Sequence, residues 1–279
     1  MSVLRQARAI GRLELAEVLR SRWLWFCAGV YALLSAVFVL VGLRESSVLG
    51  FTGMGRVLLS FSHALVLLLP LLGLFASGQV INRGRDDGSL ELWFSHPVTR
   101  GTYFAAVSVV RLLVLLLPLL VLMPALGLFG RIAFGQAVPW GFLARTLGVS
   151  AALLAAAVAA GLLVSTFVRN QAKALMVLLL LWALGAALLD FALIGLMLQW
   201  QVRPLLVFAL AALNPVQGAR LALLASAEPE LGHLGPVGFF LANRVGEAGL
   251  VALGIGWPTL LAATCWLLSL HRFRRGDLV

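Results

Sequence analysis

The 279-residue chain contains a single lysine, Lys173, and Ala174 follows it. A P-loop cradles the phosphates of ATP with a Gly-Lys-Ser/Thr step, in which glycine amides and the lysine meet the phosphate oxygens. This sequence has no such step, so ATP-driven work requires a nucleotide-binding partner chain. The four histidines, His63, His96, His233 and His271, are scattered, and Cys27 and Cys265 lie in separate apolar runs. No His-x-x-x-His or Cys-x-x-Cys spacing brings ligands together on one segment, so no metal site is expected. Met54, Met123, Met176 and Met197 form no copper-binding cluster. There is no Gly-x-Ser-x-Gly elbow and no acid–base pair within the apolar runs, so no catalytic residue is expected.

Three places remain where polarity could do work. Asp190 is the one acidic residue inside an apolar run. An intramembrane carboxylate is costly and is a functional candidate by default, for a cation, a proton or a polar cargo. It lies about 24 Å along its helix from Ala174, at 1.5 Å per residue. There, near the helix end, water or headgroups are an alternative partner. Asn214, Pro215 and Arg220 separate two short apolar pieces and read as a gate, a docking point or a plain turn. The stretch 82–102 (NRGRDDGSLELWFSHPVTRGT) gathers charge, turn formers and apolar residues. Ser89 is placed to cap a short helix over Leu90–Ser95, with Glu91 in its first turn, and Pro97 stops it. Leu92, Trp93 and Phe94 would then be exposed, as apolar knobs for a partner or lying flat on a membrane.

The elements that must position these residues are apolar. The chain is 62% hydrophobic and 11% charged, with a mean hydropathy of +1.03. Soluble domains average roughly 45–50% apolar and about 25% charged, which excludes a water-soluble globular enzyme. Disorder is excluded by the same figures. The formal net charge is +10. Its basic residues sit between apolar runs and at both ends, so they read as topology anchors, and no nucleic acid is expected.

Six runs reach the length of about 20 apolar residues that a spanning helix needs: 23–43, 57–81, 104–130, 146–168, 174–198 and 248–270. The expected fold is an all-α polytopic membrane protein, one transmembrane domain over 1–279. Residues 1–22 read either as an amphipathic helix on the membrane surface, with Leu4, Ala7, Ile10, Leu13, Leu15 and Leu19 apolar and Arg5, Arg8 and Arg12 toward headgroups, or as a plain lead-in. Arg111, two turns into the third run, is expected to snorkel to the interface. His63 reads as a hydrogen-bonded structural residue. Pro70, Pro118, Pro124 and Pro258 read as packing kinks.

Counting Lys and Arg gives thirteen on the side of the termini against seven opposite, which places both termini in the cytoplasm. The loop 82–102 and the shorter 169–173 are then cytoplasmic. The segment 199–247 is outward, with Pro204–Leu213 and Ala219–Ala225 forming a re-entrant or interfacial hairpin around Asn214-Pro215, and an exposed loop over Glu228–Gly238. The small residues in Ala151–Gly161 would let helices approach closely.

Several stretches together resemble a known family. They are Ile10-Gly-Arg-Leu-Glu14 with Leu19-Arg-Ser-Arg-Trp23, Gly50-Phe-Thr-Gly53, and Leu68-Leu-Pro-Leu71. With them stand Asp87-Gly-Ser-Leu90 with His96-Pro-Val-Thr-Arg100, Asn214-Pro-Val with Arg220-Leu221, and the tail Phe273-Arg-Arg-Gly-Asp-Leu278. Over nearly the whole chain this resembles the membrane subunit of type-2 ABC exporters. Within that family it is similar to the branch serving nitrous oxide reductase maturation. It departs from that branch at the aromatic pair Trp93-Phe94 and at Asn82-Arg-Gly-Arg85.

The resemblance implies a homodimeric permease in a bacterial cytoplasmic (inner) membrane. Two copies of a cytoplasmic ABC ATPase would carry ATP and Mg, with no cofactor in this chain. It implies that 82–102 is a coupling loop, with Leu90, Leu92, Trp93 and Phe94 in apolar contact with the ATPase. Arg85, Glu91 and Arg100 would fix orientation, and Gly88 and Pro97 would set the turns. Arg169 and Lys173 would supply a second contact. For the nitrous oxide branch it implies support of copper–sulfur site assembly in a periplasmic reductase, together with a periplasmic accessory protein. Two alternatives stand beside this. An exporter of lipid, peptide or drug predicts a wide apolar cavity. An ion-coupled carrier using Asp190 predicts transport without ATP.

Overall fold

The computed structural model describes residues 3–20, 25–34, 36–37, 53–135, 138–189, 192, 195, 204–227 and 244–276. Among the described residues there is no strand. The helices are α1 (Val3–Arg20), α2 (Trp25–Leu34), α3 (Gly53–Ser77), α4 (Val80–Asp86), α5 (Ser89–Phe94) and α6 (Arg100–Phe134). They continue with α7 (Trp140–Phe167), α8 (Gln171–Ala183), α9 (Pro204–Leu213), α10 (Pro215–Ala227) and α11 (Gly246–Arg275). A π-helical turn, Leu184–Leu188, extends α8.

Among the described residues, four stretches are long and apolar enough to cross a bilayer: Ser60–Asp86, Arg100–Phe129, Trp140–Phe167 and Gly246–Arg275. They answer to the runs 57–81, 104–130, 146–168 and 248–270. The runs 23–43 and 174–198 appear as the shorter helices α2 and α8, and parts of both lie outside the described residues. The described residues are therefore all-helical, as in a membrane-embedded protein.

Helix α7 is the centre of the bundle. It packs chiefly against α3 on one side and α11 on the other, with α6 and α10 beside it. Between membrane helices no hydrophobic force remains to be gained, so close contact of small residues carries the packing. A Cβ added at Gly73 would stand 2.8 Å from the Cβ of Ala157. One at Gly161 would stand 2.7 Å from the carbonyl oxygen of Leu74 and 3.2 Å from the amide of Gly78. The small residues of Ala151–Gly161 thus bring α7 against α3 inside one chain.

Helix α1 lies against α6 with Ile10, Glu14 and Val18, spaced four apart, as its buried stripe. Leu13, Leu15 and Leu19 are exposed, and an acid, Glu14, is buried within the stripe. The cause is Arg111 on α6. Its Nη2 lies 2.6 Å from Glu14 Oε1, its Nε donates to the same oxygen at 2.8 Å, and its Nη1 donates to the Ala76 carbonyl at 3.3 Å. Arg111, expected to reach for the interface, is engaged by Glu14 and the Ala76 carbonyl and so fastens α1 to the bundle.

Candidate functional site

The stretch 82–102 folds as the end of α4, a turn, α5, a second turn and the start of α6. Gly88 takes the left-handed conformation at φ 71°, which glycine adopts without steric cost. Ser89 is not the cap that its position promised. It is the first residue inside α5, and its amide donates to Asp87 Oδ1 at 3.0 Å. The capping oxygen therefore comes from two residues upstream, an Asx arrangement that mimics a backbone turn. Hydrogen bonding from Ser89, by its hydroxyl and its amide, holds the Asp87 carboxyl below its ordinary range. Beyond α5, Ser95 and His96-Pro97 make the second turn, and the hydroxyl of Thr99 accepts from the Thr102 amide at 3.2 Å to start α6.

Leu90 is fully buried. It fits against Gly84, where an added Cβ would come 2.9 Å from Leu90 Cγ. The expectation that Leu90 touches a partner is corrected: its side chain is the peg that fastens α5 to α4. Trp93 and Phe94 are half-buried, not free knobs. Their rings lie 5.8 and 5.7 Å from that of Tyr103 on α6, and Phe94 is 6.1 Å from Phe273 on α11. Phe273 in turn meets Phe104 at 5.5 Å. Such tilted and edge-on ring pairs add to area burial. The guanidinium of Arg100 stands 5.9 Å over the Phe94 ring and donates to the Gly276 carbonyl at 2.8 Å. Glu91, Leu92 and Pro97 are left on the outside, with Leu92 68% exposed. The outer surface of α5 is thus a ridge of Glu91 and Leu92 on an aromatic base.

The second stretch, 169–173, joins the first. Gln171 Nε2 donates to Asp86 Oδ2 at 2.8 Å. Buried Ser165, at the end of α7, accepts from the amides of Ile81 at 2.9 Å and Asn82 at 3.3 Å. Arg85 Nη1 donates to the Thr166 carbonyl at 3.4 Å. Asn170 caps α8 by accepting from the Lys173 amide at 3.0 Å, while Arg169 and Lys173 stay exposed. Helix α1 joins as well, since Gln6 Nε2 donates to the Pro97 carbonyl at 2.7 Å. Sequence reasoning singled out the two stretches but gave no role to Ser165, Gln171, Tyr103 or Phe273. A serine in an apolar run is a signal in principle, because a buried hydroxyl needs a partner.

Asn214, Pro215 and Arg220 come together elsewhere, on the π turn. Asn214 and Pro215 occupy the cap and first position of α10, the arrangement those residue types favour. The Val216 amide donates to Asn214 Oδ1 at 3.0 Å. Asn214 Nδ2 donates to the Gly185 carbonyl at 2.6 Å, and Arg220 Nη2 donates to the Ala186 carbonyl at 3.3 Å. A π turn disturbs the regular ladder of a helix, and two of its carbonyls are met by these side chains. Asp190 lies outside the described residues. Among the described residues no three of His, Cys, Asp and Glu gather as a metal site would require.

A family model described as ABC-2 family transporter protein matches residues 8–278. The chain belongs to that family. It is 28% identical over 217 residues to a protein named probable ABC transporter permease protein NosY from Pseudomonas aeruginosa, covering 76% of this chain and 79% of the relative. It is 27% identical over 264 residues to the protein of the same name from Stutzerimonas stutzeri, covering 92% of this chain and 90% of that one. The ridge of α5 therefore belongs to an ABC-2 permease, a membrane subunit of a family that works with an ABC ATPase.

Proposed function

We propose that this chain is the membrane-spanning subunit of an ATP-driven exporter, in which Glu91 and Leu92 on α5 meet a separate cytoplasmic ATPase. The observation that carries this reading is the way α5 is mounted. Leu90 and the aromatic pair fasten it from behind to α4, α6 and α11, while its outer ridge stays free. Force applied to that ridge reaches α6 through Tyr103 and α11 through Phe273. Gln171 and Ser165 join 169–173 to the same unit, so Arg169 and Lys173 form the second contact of one surface. Charges at the rim of such a contact chiefly set partner choice and orientation.

In this reading two copies of the chain pair with two ATPases, which bind ATP and Mg. Six spans put both termini in the cytoplasm of a bacterial inner membrane, in keeping with the excess of Lys and Arg on that side. The similarity to two NosY permeases over most of their length supports a role in copper–sulfur site maturation of periplasmic nitrous oxide reductase, with a periplasmic accessory protein.

The test is co-purification with the tagged native protein. Leu92→Ala is expected to weaken ATPase retention by about 2 kcal/mol, roughly thirtyfold, the scale of an interface anchor. Leu92→Ala together with Glu91→Lys is expected to abolish it. Undiminished retention in the double variant would remove α5 from the interface. Deletion of the gene is expected to leave nitrous oxide reductase without its copper–sulfur site; a fully metallated reductase would refute that branch and leave the general exporter.

A further inference from the structure

A half-open cleft of about 610 Å³ lies between α8 with its π turn and α3, α7, α9, α10 and α11. A cleft of this size, open on one side, falls in the range that holds a small-molecule ligand. The walls decide its chemistry. Leu153, Ala156 and Ala160 of α7 form the back, and the two strongly polar side chains on the lining are already engaged. Trp182 donates its indole N–H to the Leu67 carbonyl at 3.1 Å. The Asn214 amide donates to the Gly185 carbonyl and accepts from the Val216 amide.

Water needs two to four polar partners in a buried site, and a polar cargo needs at least as many. Neither is offered here. The mouth is rimmed by Leu181, Leu184 and Leu189, each 39–42% exposed, and continues into the exposed apolar flank of α8 at Met176 and Leu180. That flank leads to a charge. Lys173, Val177, Leu180 and Leu184 follow one another along one face of α8, and Lys173 is exposed at its start. The cleft thus has an apolar interior, a sideways opening at membrane depth and a cation at the end of its approach.

We propose that this cleft is a lipid site that takes one acyl chain of a bilayer phospholipid, with the headgroup phosphate toward Lys173. The chain enters between α8 and α11 and lies against α7. The site shares Lys173 with the second contact proposed above, but its apolar cleft lies apart from α5, and label on the back wall is read independently of ATPase retention.

The test reconstitutes the purified native complex in nanodiscs of phosphatidylethanolamine and phosphatidylglycerol, a fraction of whose chains carry a mid-chain diazirine. After photolysis the labelled residues are mapped by mass spectrometry. The expected result is label on Leu153, Ala156 or Ala160 at the back of the cleft. Ala160→Phe, which fills the space, is expected to abolish it while label on the exposed α6 residues Leu113 and Leu117 persists. Loss of the α6 label as well would mark a misfolded variant, and Leu184→Trp, which closes the mouth from the exposed side, then serves in its place. A back wall that stays unlabelled beside a labelled α6 flank would overturn the proposal and assign the cleft to protein, a second copy first among them. Label on the back wall that survives both variants would overturn it equally.

Discussion

Around α5, segments far apart in the chain are joined by polar bonds and rings: Ser165 to Ile81 and Asn82, Gln171 to Asp86, Arg100 to Gly276, Phe94 to Tyr103 and Phe273. Along the middle of α7 the same bundle is joined chiefly by close approach, with Gly73 against Ala157 and Gly161 against the backbone of α3. The difference follows from the surroundings. Near water, a charged or polar partner can be found by either side of a joint, so specific bonds are needed to choose one. Between membrane helices the alternative to contact is contact with lipid, and only fit distinguishes the two. A joint made by bonds can be loosened by exchanging one partner; a joint made by fit can be loosened only by adding bulk.

The pair Glu14–Arg111 tests this contrast most strongly, because it places a charged bond within the packed region. The two side chains are 10% and 17% exposed. Removing one charge leaves the other buried and uncompensated, which costs about 3 kcal/mol in a buried pair. Arg111→Gln is expected to lower the detergent melting temperature more than any change discussed below. Glu14→Gln combined with Arg111→Gln is expected to recover part of the loss. If the double variant is as unstable as the sum of the two single ones, the pair does not act as a pair, and Arg111 serves α6 through the Ala76 carbonyl alone.

The packed region itself should respond to a single methyl group. At Gly161 the added carbon meets backbone, which cannot rotate away, so Gly161→Ala is expected to cost about 2 kcal/mol by overpacking. Gly218 on α10 is also buried, yet an added Cβ there has nothing within 4 Å. Gly218→Ala is expected to be neutral or to stabilise by up to about 1 kcal/mol, the helix preference for alanine. Melting curves of the two variants side by side measure whether fit or glycine content governs the bundle. Equal effects would show that close approach at Gly161 is not what holds α7 to α3.

Much of this was legible in the sequence. The apolar runs named the four long spans, and the alternation of charge, glycine and proline over 82–102 named a short helix between two turns. What periodicity could not supply was direction. In a six-residue helix, Leu90, Leu92, Trp93 and Phe94 cover most of the circumference, so the pattern alone does not say which of them faces inward. Their directions are set by Gly84, which receives Leu90, and by Tyr103 and Phe273, which receive the aromatics. Phe273 stands near the other end of the chain. Arg111 illustrates the same limit: its partner, Glu14, is 97 residues away. The π turn left no local signature beyond Gly185 in a leucine-rich run, and the two residues that satisfy it, Asn214 and Arg220, come from a different helix.

The smallest expected effect lies at the turn before α5, where a polar bond stands in full contact with water. The Asp87 carboxylate accepts from Ser89 and is held below its ordinary range. A carboxylate whose folded value is depressed stabilises the structure fully above its unfolded value and loses that contribution as pH falls through the folded one. The turn is therefore expected to be equally protected at pH 7 and pH 6 and to loosen below the ordinary carboxylate range. Because Asp87 is exposed, solvent screens the interaction and the bundle as a whole should not respond. Hydrogen exchange of the peptide spanning 86–95, corrected for the intrinsic effect of pH, measures this locally. Asp87→Asn is expected to remove the pH dependence while leaving exchange in α7 unchanged. If exchange in α7 rises together with that of 86–95, the turn is coupled to the packed region, and the division between bonded and fitted joints fails at the one place where it was expected to be sharpest.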